Sequence, residues 1–136
     1  YRRIMKFEIG KNSSILVDFK VSQRGNLRVG VNSVINNSVR FDNRFPIVIG
    51  DNVSISYGVH LIKKGHDINS PLFKTKGVGI TIGDYVWLCT NAVILPGVNI
   101  EIGGVALTSA LVTKSVDRFV VVGGNPASPI SKRNDN

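Results

Sequence analysis

Residues 82–116 decide the fold and read IGDYVWLCTNAVILPGVNIEIGGVALTSALVTKSV. Aliphatic residues recur in this stretch every six positions, and a second column of small or β-branched residues follows four positions after the first. The columns are Ile82, Leu88, Ile94, Ile100, Ala106 and Val112, then Val86, Ala92, Val98, Gly104, Ala110 and Val116. This period matches neither the 3.6-residue repeat of a helix nor the alternation of an ordinary strand. It predicts a β-solenoid in which each unit supplies one short strand and one corner.

The same six-residue units occur upstream in shifted phase, so each shift indicates a small insertion at a corner. Their aliphatic positions are Ile9, Ile15, Val21 and Leu27, then Val29, Ile35 and Phe41, then Ile49, Ile55 and Leu61. Three units close a triangular coil of about 18 residues, and coils stack about 4.8 Å apart. The corners at 30–32, 50–52 and 83–84 are rich in Gly, Asn and Asp, which predicts residues with positive φ where the chain turns.

Composition limits the class of protein. The 136 residues are 43% hydrophobic and 19% charged, which predicts one globular domain over 1–136. No apolar run approaches about 18 residues, so no transmembrane segment is expected. No long apolar stretch follows the first residues, so they do not form a secretory signal. Because residue 1 is not Met, we expect an N-terminally truncated or processed chain. A single cysteine, Cys89, cannot form a disulfide framework, which favours a cytoplasmic protein.

Charge and metal-ligand content narrow the partners. The chain has a net charge of +8, which favours an anionic partner such as a phosphorylated cofactor. Nucleic acid is disfavoured, because aromatic residues make up only 7% and do not alternate with basic ones. Two histidines cannot supply a three-histidine zinc site, so no metal is expected.

The repeats stop between Leu61 and Ile82, so the residues at about 62–81 must leave the solenoid as an extruded loop. Four lysines, one acid and His66 lie in this loop. Imidazole is the side chain whose ordinary pKa suits a general base at neutral pH, which makes His66 the catalytic candidate. The alternative is an exposed loop histidine. By contrast, we expect His60 to be an outward surface residue and Cys89 a small apolar filler near a corner.

Four motifs closely resemble those of the hexapeptide-repeat acetyltransferases, in particular the branch that O-acetylates sugars. They are IGDYVWL (82–88), AVILPGV (92–98), VTK (112–114) and VGGNPA (122–127). The resemblance implies an all-β, left-handed parallel β-helix with the one extruded loop and a short C-terminal tail. We expect this tail, from Ser131, to be polar and mobile. The resemblance also implies a homotrimer with active sites between subunits.

The resemblance further implies roles for single residues. His66 is the base, and Asp67 is a candidate to hold its other ring nitrogen. Acetyl-CoA is the donor, and the residues implied to contact it are Trp87, Thr90, Thr108, Thr113 and Lys114. Trp87 lines the thioester tunnel, Thr90 and Thr108 contact the pantetheine arm through backbone groups, and Thr113 and Lys114 lie near the adenosine phosphates. Asn36 matches an asparagine that binds the saccharide acceptor.

Three of these residues also have an interpretation outside an active site: Trp87 as an anchor at a subunit contact, Lys114 as a solvated lysine, and Asn36 as a corner asparagine. At the level of function, the leading prediction is an acetyl-CoA-dependent O-acetyltransferase acting on a saccharide hydroxyl. One alternative is an N-acetyltransferase acting on an amino sugar. The other is a non-catalytic β-helix scaffold that binds an anionic partner.

Overall fold

A computed structural model of the chain describes residues 7–16, 18, 20–21, 25–43, 45–62, 64–66, 69–72, 75–77 and 79–134. Regular secondary structure in these residues consists of short β-strands. The first three coils contain β1 (Glu8–Ile9), β2 (Ser14–Ile15), β3 (Lys20–Val21), β4 (Leu27–Val29), β5 (Val34–Ile35), β6 (Arg40–Phe41), β7 (Ile47–Ile49), β8 (Ser54–Ile55) and β9 (His60–Leu61). A hairpin follows, formed by β10 (Lys64–His66) and β11 (Thr75–Gly77). The remaining strands are β12 (Ile80–Ile82), β13 (Trp87–Leu88), β14 (Val93–Ile94), β15 (Asn99–Ile100), β16 (Val105–Ala106), β17 (Leu111–Val112), β18 (Val120–Gly124) and β19 (Ala127–Lys132).

Strands of successive coils stack into three sheets that form the faces of the solenoid. Sheet A has the order β1-β4-β7-β12-β15, sheet B β2-β5-β8-β13-β16-β18-β19, and sheet C β3-β6-β9-β14-β17. All pairs between coils are parallel, and β18 and β19 pair in the antiparallel sense. The predicted all-β, left-handed parallel β-helix is thus confirmed, with about five turns.

Strand register explains the shifted phases of the repeat. Leu27 pairs with Ile47, so a coil in the first half is 20 residues long. Thr81 pairs with Asn99, so a coil in the second half is 18 residues long. The difference lies at the corner between sheets C and A, which is longer at 42–46 than at 95–98. The predicted corner insertions are therefore present.

The interior of the solenoid is filled by the two columns that the repeat defines. All twelve residues of these columns are buried. In the upstream coils, the inward residues from Leu27 to Leu61 are buried as well, whereas Ile9, Ile15 and Val21 are partly buried at the open end. One large and one small residue per unit thus form the hydrophobic core.

At the corners between sheets A and B, positive φ falls on Asn32 (54°), Asn52 (55°) and Tyr85 (58°). The neighbouring Gly30, Gly50 and Gly83 do not have positive φ. The prediction of positive φ at these corners is therefore right for the asparagines, but positive φ does not explain why glycines occur there. The structure gives a different reason for Gly30 and Gly50: successive coils approach there too closely for a side chain. A Cβ atom on Gly30 would overlap the Asp51 carboxylate and lie 2.6 Å from the Gly50 carbonyl oxygen.

The repeats stop after Leu61, as predicted, and resume at β12 with Ile80, whereas the predicted loop extends to residue 81. An antiparallel hairpin lies between them. Lys64 pairs with Gly77 and His66 with Thr75.

The C-terminal segment differs from the expectation of a mobile tail from Ser131. Ser131 and Lys132 belong to β19, which pairs with β18 from Ala127 to Lys132 with one register shift between Val121 and Val122. The Arg133 amide then donates to the Phe119 carbonyl at 2.6 Å, and Arg133 Nη1 donates to the Tyr85 carbonyl at 2.7 Å. The physical reason is that β18 is the last parallel strand of sheet B, and β19 satisfies the backbone groups that would otherwise lie at an open sheet edge.

Candidate active site

Most of the predicted site residues lie at two edges that flank sheet C. Edge BC consists of the corner residues after strands of sheet B, at 36–38, 56–58, 89–91 and 107–109. Edge CA consists of the residues that follow strands of sheet C, beginning at Asp42, Ile62, Leu95 and Thr113. Because the coils stack in register, each edge is a row of equivalent corner positions.

Edge BC aligns Asn36 with Ser56 and Cys89 in successive coils. The Asn36 amide donates to the Ile55 carbonyl at 2.9 Å, the Ser56 amide to Leu88 at 2.9 Å and the Cys89 amide to Ala106 at 2.8 Å. Asn36 and Ser56 are partly exposed, whereas Cys89 is buried. The acceptor-binding candidate therefore lies one coil away from Ser56, on the same edge.

Trp87 lies on the outer side of β13, two residues before edge BC. It is 48% exposed, so about half of its surface is accessible. The indole Nε1–H donates to Ser56 Oγ at 3.2 Å. This hydrogen bond links Trp87 to the neighbouring coil and directs the ring along edge BC.

Thr90 lies in the same coil as Trp87, and Thr108 occupies the equivalent position in the next coil of edge BC, because the Ser109 amide donates to the Thr90 carbonyl at 2.9 Å. The Thr90 and Thr108 amides themselves donate to no backbone or side-chain acceptor in the described part of the chain. Thr108 is exposed and Thr90 partly exposed. A row of open backbone donors suits the amide carbonyls of a pantetheine arm.

Thr113 and Lys114 lie on edge CA, so sheet C separates them from Thr90 and Thr108. Both side chains are exposed. Lys114 lines a cavity of about 170 Å³ together with Val116, Asp117 and Pro129, at the C-terminal end of the solenoid. The structure therefore does not place all five predicted acetyl-CoA residues on one edge of a single chain.

The hairpin that carries His66 also leaves the solenoid from edge CA, directly after Ile62. The structure describes the backbone of His66, opposite Thr75 in the hairpin. Asp67 lies outside the described residues. The general base therefore stays a prediction, placed by its backbone on the edge opposite to Trp87.

Burial changes the pKa of both His60 and Cys89. His60 is half-buried on sheet C, and burial, followed by the Arg40 guanidinium, lowers the pKa of its imidazole, while Asp42 opposes this shift. Burial raises the pKa of the Cys89 thiol, which disfavours the thiolate that nucleophilic attack requires. The sequence interpretation of Cys89 as a small filler agrees with this environment, whereas His60 is less exposed than a surface residue.

No group of three or more His, Cys, Asp or Glu residues suited to a metal ion occurs among the described residues. In the same part of the chain, no helix has the length and apolar character needed to cross a membrane.

The motifs and the resemblance did not point to Ser56, whose hydroxyl accepts the indole hydrogen bond. A signal for it was present: Ser56 follows Asn36 by 20 residues, which is one coil in this half of the solenoid. The two residues therefore had to occupy the same edge.

The strands are short and parallel and form three faces, with a hairpin inserted at one edge and a half-exposed tryptophan near another. These features define a class of β-helical protein. Comparisons with known proteins assign the chain to that class. No protein-family model matches the chain. Galactoside O-acetyltransferase of Escherichia coli K12 is 32% identical over 130 residues, which are 93% of this chain and 64% of that protein. The chain thus spans less than two thirds of that relative.

Two further comparisons cover more of the related chain. WcaF of Escherichia coli K12, named as a colanic acid biosynthesis acetyltransferase, is 33% identical over 131 residues, covering 96% of this chain and 72% of that protein. The hexapeptide-repeat-containing acetyltransferase VCA0836 of Vibrio cholerae, solved in complex with acetyl coenzyme A, superposes with a TM-score of 0.92 at 28% identity over 98% of this chain and 74% of that one. The chain belongs to the hexapeptide-repeat acetyltransferases, a family of acyltransferases.

Proposed function

We propose that residues 1–136 form a single acyltransferase domain that moves an acetyl group from acetyl-CoA to a saccharide hydroxyl. The observation that carries the proposal is edge BC, where two free amide donors and two polar side chains line one row of a solenoid of this family, beside the half-exposed indole of Trp87. The saccharide is supported by the 32% identity to a galactoside O-acetyltransferase.

Edge BC fits the donor chemically. Coenzyme A combines a long amide-containing arm with a strongly anionic nucleotide, and the chain carries a net charge of +8. The Thr90 and Thr108 amides would donate to carbonyl oxygens of the arm, and Trp87 would shield the thioester from water. Lys114 would pair with phosphate from edge CA.

In the proposed reaction, His66 removes the proton from the acceptor hydroxyl as its oxygen attacks the thioester carbonyl carbon. The new C–O bond forms the acetyl ester, and the C–S bond breaks. The proton then passes from the imidazolium to the departing sulfur, so coenzyme A leaves as the thiol. Asp67 is the proposed partner that orients the imidazole.

We also propose a cyclic homotrimer. The hairpin of His66 and the row of Trp87 lie on opposite edges of sheet C in one chain. Packing edge CA of one subunit against edge BC of its neighbour would bring the two together in a heterologous contact, and three such contacts close a ring.

The test is acetyl transfer to methyl β-galactoside, and the coenzyme A thiol that is released serves to measure the rate. In His66→Ala, we expect kcat to fall by about 10²- to 10⁴-fold, because a positioned general base is lost. The rise in melting temperature caused by acetyl-CoA should persist, because donor binding does not need the imidazole.

The matched control is His60→Gln, which removes the other histidine and should keep wild-type kcat. Full activity in His66→Ala would refute the assignment of the base. If the protein acetylates galactosamine at nitrogen and does not react with the galactoside, its function is that of an N-acetyltransferase and not of an O-acetyltransferase. Absence of any acetyl-CoA effect on melting would favour the non-catalytic scaffold.

A further inference from the structure

The first corner position of edge BC changes character along the solenoid. From the second coil onward it is occupied by Asn36, Ser56, Cys89 and Leu107. Hydrogen-bonding side chains therefore stand next to each other in only two coils of this row. Adjacent coils are about 4.8 Å apart, so one small polar molecule can contact both side chains.

The Ser56 hydroxyl has distinct donor and acceptor roles. Its oxygen accepts the Trp87 Nε1–H at 3.2 Å. The hydroxyl hydrogen has no acceptor in the described part of the chain. Since Ser56 is partly exposed, this hydrogen is available to a ligand at the edge.

The polarity of the Asn36 side chain is set in a similar way. Asn36 Oδ1 accepts the backbone amide of Asn37 at 3.2 Å. The carbonyl end of the side-chain amide is therefore engaged, and Nδ2 has no acceptor among the described residues. Both neighbouring side chains offer hydrogen-bond donors outward.

We propose that Ser56 is a further binding residue of the acceptor subsite, which orients the Trp87 indole through its oxygen and donates its own O–H to the saccharide beside Asn36. This inference rests on the proposed function. Two adjacent donors fit two neighbouring oxygen atoms of a sugar ring, whose lone pairs accept hydrogen bonds. The apolar C–H face of the same ring packs against the exposed indole.

The Ser56 O–H and Asn36 Nδ2 have no acceptor in the described part of the chain, and both are donors. Two such donors suit the hydroxyl oxygens of a neutral sugar.

Three variants separate the two roles of Ser56 from general effects. Ser56→Ala removes the hydroxyl, and Ser56→Thr retains it. Ser54→Ala is the matched control, because Ser54 is exposed on β8 two residues before Ser56 and pairs in register with Trp87 but makes no hydrogen bond to the indole.

The contact with the indole is tested without any substrate. Trp87 is the single tryptophan of the chain, so its emission reports this one ring. We expect the fluorescence anisotropy to fall in Ser56→Ala, because the indole gains motion, and to stay at the wild-type value in Ser56→Thr and Ser54→Ala. Unchanged anisotropy in Ser56→Ala would overturn the positioning role.

The contact with the acceptor is tested by kinetics with methyl β-galactoside. Loss of one neutral hydrogen bond should raise the acceptor KM about fivefold to tenfold in Ser56→Ala, with the KM for acetyl-CoA close to the wild-type value. Ser56→Thr should restore most of the affinity. An acceptor KM equal to that of Ser54→Ala would overturn the binding role even if the anisotropy falls.

Failure of the proposed function would appear differently. If the wild-type protein acetylates neither methyl β-galactoside nor galactosamine, the proposed function and the acceptor role fall together. The anisotropy comparison still decides whether Ser56 positions Trp87.

Discussion

Glycines occupy one corner position in four successive coils, at Gly10, Gly30, Gly50 and Gly83, where each amide donates at 2.8 Å to the coil that follows. At Gly30 and Gly50 the neighbouring coil adds an aspartate: Asp51 Oδ1 accepts the Val31 amide, and Asp84 Oδ1 accepts the Asp51 amide, each at 2.8 Å. The carboxylates fill the space that a glycine Cβ would occupy. At these corners, the stacking distance selects glycine.

We predict that Gly30→Ala lowers the free energy of unfolding by about 2 to 3 kcal/mol, because the new methyl group overpacks against the Gly50 backbone and Asp51. Gly25→Ala is the comparison variant: its Cβ meets open space, and only its φ of +73° opposes the change. We expect a loss of about 1 kcal/mol there. Urea unfolding at one protein concentration measures both, and a Gly30→Ala protein as stable as Gly25→Ala would contradict the close approach.

At the scale of single elements, sheet C has an outer face that changes along the solenoid. Lys20, Arg40 and His60 pair in register in the first three coils, followed by Val93 and Leu111. Like charges side by side on adjacent strands are unfavourable, and the half-buried imidazole beside Arg40 responds by favouring its neutral form.

We predict that the burial of His60, together with its pairing with Arg40, makes stability depend on pH. The folded-state pKa of His60 lies below its ordinary value of 6.5, so the unfolded chain binds this proton more readily. The contribution of His60 to the free energy of unfolding is therefore complete above about pH 6.5 and is lost as the pH falls through the folded-state pKa. The urea midpoint should drop less between about pH 7.5 and about pH 5 in His60→Gln than in the wild type. Equal drops in the two proteins would contradict this prediction.

At the scale of the whole molecule, the two flanks of sheet C divide the proposed chemistry. Edge BC carries Trp87, Thr90 and Thr108, and edge CA carries the hairpin of His66. In the proposed trimer, each active site takes one edge from each of two neighbouring subunits.

This division predicts complementation between two inactive variants. In randomly mixed trimers of His66→Ala and Trp87→Ala, about a quarter of the sites combine an intact His66 with an intact Trp87 of the neighbour. We therefore expect equal amounts of the two variants, unfolded and refolded together, to regain about a quarter of wild-type activity. Each variant refolded alone is the control. A mixture no more active than these controls would place both residues of one site in the same subunit.

The sequence by itself determined the solenoid, because a β-helix repeats one local problem. Each six-residue unit must turn a corner and bury one large and one small side chain, so the columns from Ile82 and Val86 are visible without any long-range information. The break at residues 62–81 was visible for the same reason. The catalytic candidates depended on resemblance, and the roles of His66 and Asp67 stay predictions.

Only the tertiary structure decided what lies side by side between coils. The glycine corners, the antiparallel cover formed by β19 and the contact of Trp87 with Ser56 all join residues from different turns. Their partners depend on the exact register of each coil, which is 20 residues in one half and 18 in the other. The repeat determines whether each side chain points into or out of the solenoid. The stacking of the coils determines which side chains lie next to each other, and the candidate site consists of side chains from neighbouring coils.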